Sequence, residues 1–170
     1  MSTTVNGPWQ IVPVVRDRDF LDMKELCIEF ATAIDFELDY QQLLRESASI
    51  KDIYKMPRGA GFLLKANSQS IGFIALKKVN YNTVQIQKFY VRPSMAFLKW
   101  GNNLLETAVD WAMQSNYQKI WADPGSTYPS LKKLYPESDF RERFVRDETS
   151  SQLVKVLEKA LVSVPEYFQL

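Results

Sequence analysis

Between Thr83 and Ala112 the spacing of apolar residues changes period twice. Val84 and Ile86 alternate with Gln85 and Gln87, the period of a half-buried strand. After Lys88 the apolar positions change parity, to Phe89 and Val91. A one-residue slip inside a strand predicts a β-bulge at Gln87 and Lys88, and bulges re-aim backbone groups beside functional sites. Pro93 ends the strand because it has no N–H for a ladder. From Trp100 the period is helical, with Trp100, Leu104, Leu105, Ala108, Trp111 and Ala112 on one face.

The same reading extends along the chain. Trp9 to Val15 predicts a first strand, set at a sheet edge by Pro13. Asp17 and Asp19 can cap a helix to about Ile34, whose face is Phe20, Met23, Cys27, Phe30, Ala31 and Ile34. Asp35 to Asp39 reads as a connection, and Tyr40 to Ser47 as a second helix. Met56 to Gly61 is a loop. Phe62 to Ala66 and Ile71 to Val79 are strands, joined by a hairpin through Asn67 and Ser70. Asn116 suits the left-handed end of the central helix, and Tyr117 to Ala122 is a strand closed by Asp123-Pro124-Gly125. A helix from about Pro129 carries Leu131, Leu134 and Tyr135. Thr149 to Ser151 can cap a late helix with Leu153, Val156, Leu157, Ala160 and Leu161 as its face, and Tyr167 and Phe168 suit a last strand. Alternating strands and helices with hairpins argue a mixed sheet covered on both faces.

Composition narrows the chemistry. With 170 residues, 46% hydrophobic, the chain suits one domain spanning 1–170 with a real core. A net charge of +1 with interleaved signs lacks the basic footprint of nucleic-acid binding, and the dense Arg141, Arg143 and Arg146 read as solvated surface. No apolar run approaches the ~20 residues of a membrane span, and Met1 to Val5 carries no secretory leader. Cys27 is the single cysteine, which fits a reducing, cytoplasmic setting. On an apolar helix face it reads as a small buried hydrophobe, not a nucleophile. With no histidine at all, a His-based triad and an imidazole- or multi-thiolate-built zinc site are excluded.

Phe89-Tyr90-Val91-Arg92-Pro93 followed by Leu104-Leu105-Glu106 resembles the GNAT family of acyl-CoA-dependent N-acetyltransferases. In that family a bulged strand ending hydrophobic-Arg-Pro leads through Gln/Arg-x-x-Gly-x-Gly/Ala into a helix. Leu134-Tyr135 with Asp139-Phe140-Arg141-Glu142 is similar to its Leu-Tyr-x-x-x-Gly-Phe-x-Glu segment, and Ile71 to Leu76 to the preceding strand. The resemblance spans roughly residues 9 to 142 and implies a twisted mixed sheet of about six or seven strands, a GNAT-like α/β (α+β) fold. It also implies acetyl-CoA as cosubstrate, a small-molecule or protein amine as acceptor, and cofactor contacts from Phe89, Tyr90 and Val91 and from the turn Ala96, Phe97, Leu98, Lys99, Trp100 and Gly101.

That turn departs from the family. It should aim backbone N–H groups at a pyrophosphate on the positive end of a helix, yet only Gly101 matches a glycine; Ala96 replaces the long polar residue and Lys99 another glycine. Two readings follow, a weakened or altered cofactor site and a strand-to-helix turn that merely keeps the fold; the Trp100 and Trp111 face is core by default. Tyr135 stands where the family's tyrosine protonates the leaving thiolate, with Pro136 after it as a second departure; residue type alone favours a buried aromatic, and the motif match brings the two readings level. Gln85 stands where a glutamate base is often found, and an amide cannot take a proton at neutral pH. Asp35, Glu37 and Asp39 border the implied acceptor side and can either attract a cationic amine or be solvated. The functions left open are an N-acetyltransferase, a non-catalytic binding module of the same fold, and a structural role, a homodimer for example, in which the late helix packs on another chain.

Overall fold

The computed structural model describes residues 9–33, 45–93 and 97–161. Seven strands form one mixed sheet in the order β1-β2-β3-β4-β5-β7-β6. They are β1 (Gln10–Pro13), β2 (Gly59–Ala66), β3 (Gln69–Asn80), β4 (Thr83–Val91), β5 (Lys119–Ala122), β6 (Arg141–Arg146) and β7 (Leu153–Ala160). The helices are α1 (Asp17–Ala33), α2 (Ile50–Tyr54), α3 (Phe97–Gln114) and the short α4 (Leu134–Glu137). Residues 45–48 are also helical. All neighbouring strands run antiparallel except β4 and β5, which are parallel and joined through α3.

Each face of the sheet has its own core. Phe62, Ile74, Ile86, Phe89, Leu104, Leu105 and Tyr135 pack on the α3 side. Phe20, Met23, Phe30, Leu63, Phe73 and Tyr90 pack on the α1 side. The alternation of strand side chains sends neighbours such as Phe89 and Tyr90 into opposite cores. Pro13 lies on the edge strand, as its missing N–H demands. At the start of α1, Asp19 reaches back to accept the N–H groups of Val15 (3.2 Å) and Arg16 (3.0 Å). Asp17 instead pairs with Lys51 on the surface, 2.6 Å away. Asn67 and Ser68, with φ of 52° and 66°, form the turn between β2 and β3. Asn116, with φ of 67°, ends α3 as expected, and Tyr117 N–H bonds back to Ala112 O at 3.1 Å.

Several expectations change. The late helix is strand β7, because β6 pairs with Leu153 to Glu158 on one side and β5 with Leu157 to Ala160 on the other. Thr149 to Ser151, expected to cap that helix, lie in the turn that closes the β6–β7 hairpin, where Asp147 Oδ1 accepts the N–H groups of Thr149 (2.7 Å) and Ser150 (3.1 Å). Arg141, Arg143 and Arg146 are exposed, as expected, on strand β6, and the structural role assigned to a late helix loses its element. The helix from Pro129 is two pieces, a 3₁₀ turn at Pro129–Leu131 and α4, and β2 begins already at Gly59. Ile34, the Asp35–Asp39 connection, Tyr40 to 44 and Tyr167 with Phe168 lie outside the described residues.

Candidate active site

The parity slip in β4 is a bulge. Ala75 of β3 pairs with Lys88 and Leu76 with Ile86, so Gln87 is the extra residue. One consequence is that consecutive side chains, Gln87 and Lys88, both line the cavity on the α1 side. A second concerns β5, whose ladder with β4 stops at Ile86 and Ala122. Beyond that point the chain leaves β5 through a 3₁₀ turn (Pro124–Ser126) and meets β4 again at Thr127, which bridges to Phe89. Arg92 N–H bonds Ile71 O on β3 at 2.9 Å, so by alternation Phe89 and Val91 turn their backbone groups towards the parting. Tyr128 N–H takes Phe89 O at 2.8 Å. The parting begins directly after Ile86, earlier than the strand's end.

Tyr135 is held beside this parting by local chain geometry. Pro136 sits in the first turn of a four-residue helix, where a missing N–H costs nothing. The helix ends in a Schellman arrangement: Phe140 N–H bonds Tyr135 O (3.0 Å), Asp139 N–H bonds Pro136 O (3.2 Å), and Asp139 has φ of 67°. Asp139 thus performs the left-handed turn that the family pattern gives to glycine. The Phe140 ring lies 5.2 Å from the Tyr135 ring, and Phe89 lies 6.2 Å away edge-on. Tyr135 is 0% exposed, and its hydroxyl lies 2.8 Å from Thr127 Oγ1. Thr127 has one hydroxyl hydrogen, which it donates to Asp123 O at 3.1 Å, so the phenol donates to Thr127. Burial pushes the Tyr135 pKa up, and the phenol stays protonated at neutral pH.

The residues around the degenerate turn do different work from one another. Trp100 is buried and stacks on Trp9 with centroids 5.2 Å apart. Lys99 is exposed, its Nζ 5.9 Å from the Trp100 ring centre. Leu98 packs partly buried against the α3-side core, and Phe97 is the first residue of α3. A Cβ on Gly101 would lie 2.7 Å from Leu131 Cδ2 and 3.3 Å from Leu134 Cδ1. The surviving glycine therefore lets α3 approach the segment that carries Tyr135. Ala96 lies outside the described residues. Tyr90 turns to the other face, where its hydroxyl donates to Glu29 at 2.8 Å, and Arg92 Nε bonds the same carboxylate at 2.9 Å. Burial raises the Glu29 carboxyl, but the bonds and charge from Arg92 and Tyr90 together hold it below its ordinary value.

On the α1 side a cavity of about 260 Å³ opens at the bulge, lined by Cys27, Glu46, Ser47, Tyr54, Gln87, Lys88 and Asp123 among others. Tyr54 hydroxyl donates to Gln87 Oε1 at 3.3 Å, and Lys88 Nζ lies 3.6 Å from Glu46. Asp123 is engaged by its own turn, accepting from Gly125 N–H (2.9 Å) and Ser126 Oγ (3.0 Å). Ser47 is buried with no partner for its hydroxyl. Burial pushes the Cys27 thiol up to about 12, which leaves it inert at neutral pH. Gln85 pairs in register with Lys77 and Trp121 and is not among the cavity residues; the bulge gives that place to Gln87. Glu46 and Ser47 escaped the sequence reading, since nothing in a short polar segment marks which residues meet a distant strand. Asp35, Glu37 and Asp39 lie outside the described residues. Among those described, no cluster of acidic and thiol side chains could hold a metal ion, and no helix is long and apolar enough to cross a membrane.

Comparison with known proteins agrees with this geometry. The family model for the acetyltransferase (GNAT) family matches residues 23–140. No curated protein matches the chain. A GNAT-family acetyltransferase from Staphylococcus aureus Mu50 superposes with a TM-score of 0.70 at 22% identity, covering 90% of this chain and 100% of its own. The ribosomal-protein-S18-alanine N-acetyltransferase of Escherichia coli gives 0.63 at 16% identity, over 93% of this chain and 97% of its own. An aminoglycoside 6'-acetyltransferase type Ii gives 0.62 at 11% identity, over 91% and 99%.

Proposed function

The chain belongs to the GNAT acetyltransferase family, and from that premise we propose that it is an acyl-CoA-dependent N-acetyltransferase that moves an acetyl group from acetyl-CoA to an amine. The observation that carries this reading is the bulge at Gln87 coinciding with the parting of β4 from β5 after Ile86 and Ala122. Such an opening leaves strand backbone free inside a sheet, and a bound chain with amide groups can complete it. Phe89 O is already held by Tyr128 N–H, so Val91 supplies the free backbone on its β4 side, with Leu98, Lys99 and the start of α3 beyond, and Tyr90 holds the strand end to α1 through Glu29.

Acetyl transfer joins the amine nitrogen to the thioester carbon and breaks the carbon–sulfur bond, so the departing thiolate needs a proton. Tyr135 is the donor in this reading. Its hydroxyl turns from Thr127 to the sulfur, Thr127 redirects its hydrogen bond from Asp123 O to the phenolate, and the proton that the amine nitrogen sheds on becoming an amide restores the phenol. The acceptor amine occupies the cavity on the α1 side, whose acids Glu46 and Asp123 are matched by Lys77 and Lys88, so it enters as the neutral amine. Two structural neighbours are named for a protein acceptor and for a small-molecule acceptor, so the fold leaves both classes in play. A lone buried thiol suits a reducing compartment, and the reading sets the protein in the cytoplasm.

The test pairs a melt with a thiol-release assay. Acetyl-CoA at 100 times its dissociation constant stabilises by about 2.7 kcal/mol, a melting shift of roughly 5–10 °C for a domain of this size. Because the pyrophosphate turn is altered at Lys99, the shift at millimolar acetyl-CoA should be smaller than this but measurable. Thiol release should depend on an added amine from a panel of small amines, amino acids and peptide N-termini. No shift and no release with any acceptor would instead identify a non-catalytic module.

A further inference from the structure

The outer strand β6 ends the sheet, and among the described residues no strand pairs with its far side. Exposed edges are commonly blunted by proline, bulges or charged side chains. Strand β6 has no proline and no bulge, and its charges, Arg141, Glu142, Arg143 and Arg146, are of both signs. Its register with β7 is unbroken from Arg141 to Arg146, and at its centre Phe144 is 68% exposed. Asp147 N–H bonds Gln152 O on the β7 side at 2.8 Å. By the alternation of an antiparallel ladder, Val145 and Arg143 also turn their backbone groups to β7, and Glu142, Phe144 and Arg146 turn theirs outward. These three outward residues also share one side-chain face.

Their order is self-complementary. Laid antiparallel on a second copy of itself about Phe144, the strand sets Phe144 opposite Phe144, Glu142 opposite Arg146 and Arg146 opposite Glu142. A shift by two residues either way would put Phe144 opposite a charge. In the centred register every outward N–H and C=O finds a partner, the aromatic pair sits on the two-fold axis, and opposite charges meet on each side of it. Leu153, 61% exposed, lies beside Arg146 on β7 and extends the apolar surface of this face. The in-chain contacts of the charged pair, Glu142 to Lys155 (3.4 Å) and Arg146 to Ser151 O (2.7 Å), are exposed and hold it weakly.

We propose that β6 is a homodimerisation edge, in which two copies join antiparallel through Glu142, Phe144 and Arg146 into one continuous sheet. This stands independently of the acetyl-transfer reading. One added strand pair makes a small interface, so association belongs in the micromolar range. Sedimentation velocity across a micromolar to millimolar series should show a reversible monomer–dimer equilibrium. Phe144→Lys should weaken it by roughly tenfold or more. Glu142→Arg and Arg146→Glu should each weaken it, since each sets like charges opposite, and the double variant should regain most of the loss. Circular dichroism and melting temperature identify any variant that fails to fold. A wild type that stays monomeric throughout, a dimer indifferent to Phe144→Lys, or single reversals that the double variant does not rescue would each overturn the proposal.

Discussion

The buried pair Tyr135–Thr127 makes a prediction whose two halves differ in size. In Thr127→Val the phenol loses its acceptor in a site that is 0% exposed. Leaving a buried donor unsatisfied costs about 1–3 kcal/mol. In Tyr135→Phe the hydroxyl itself is gone, and Thr127 keeps its bond to Asp123 O at 3.1 Å. That loss is about 0.5–1.5 kcal/mol, the net worth of one hydrogen bond. The valine variant should therefore be the less stable, although it deletes the smaller residue's hydroxyl. In the double variant no orphan remains, so its loss should fall short of the sum by about 0.5–1.5 kcal/mol. Urea denaturation followed by tryptophan fluorescence, with unchanged slopes, measures all four corners of the cycle. At roughly 2–4 °C per kcal/mol the melting temperatures should follow the same order. Thr127→Val being as stable as Tyr135→Phe, or the two losses simply adding, would show that the 2.8 Å contact carries no energy. The same proteins test the catalytic role. Tyr135→Phe should lower kcat while leaving the acetyl-CoA melting shift nearly unchanged.

Three further outcomes follow. Gly101→Ala gains about 1 kcal/mol of helix propensity, but its Cβ would meet Leu131 at 2.7 Å. Overpacking of about 1–3 kcal/mol outweighs that gain, so the melting temperature should fall; a rise would refute the close-packing role. Cys27, raised to about 12 from an ordinary 9, should resist thiol reagents at pH 8 in the native protein and react on unfolding. Its folded pKa lies above its unfolded one, so its contribution is complete below about 9 and is lost as pH rises towards 12. Flat stability across that window, read by urea melts, would contradict the burial. Glu29→Gln should cost about 1 kcal/mol, at the low end because the carboxylate is a third exposed. The Glu29 pKa is lowered on folding, so its contribution is present above the ordinary value of 4.5 and lost as pH falls below it; the glutamine variant should show the smaller acid loss.

The sequence by itself determined whatever depends on neighbours along the chain. The change of parity after Ile86 is a backbone fact written in side chains, and it gave the bulge at Gln87. Pro13 at an edge, Asn116 at a helix end and the apolar face of α3 follow from local sterics and period in the same way. The Leu153–Ala160 segment shows the limit. Its apolar residues satisfy a helical spacing, and a strand won because β5 and β6 both stood ready to take its backbone groups. Sequence spacing records side-chain preference but not which hydrogen-bonding partners the rest of the chain will offer. The site divides along the same line. Tyr135 was legible as a residue at a place. That its hydroxyl donates to Thr127, that Gln87 displaces Gln85 at the cavity, that Glu46 meets Lys88, and that Gly101 serves packing all depend on contacts between separate segments. Those contacts exist only once the sheet has set its order and β4 has parted from β5, because only then do the distances between such residues take definite values.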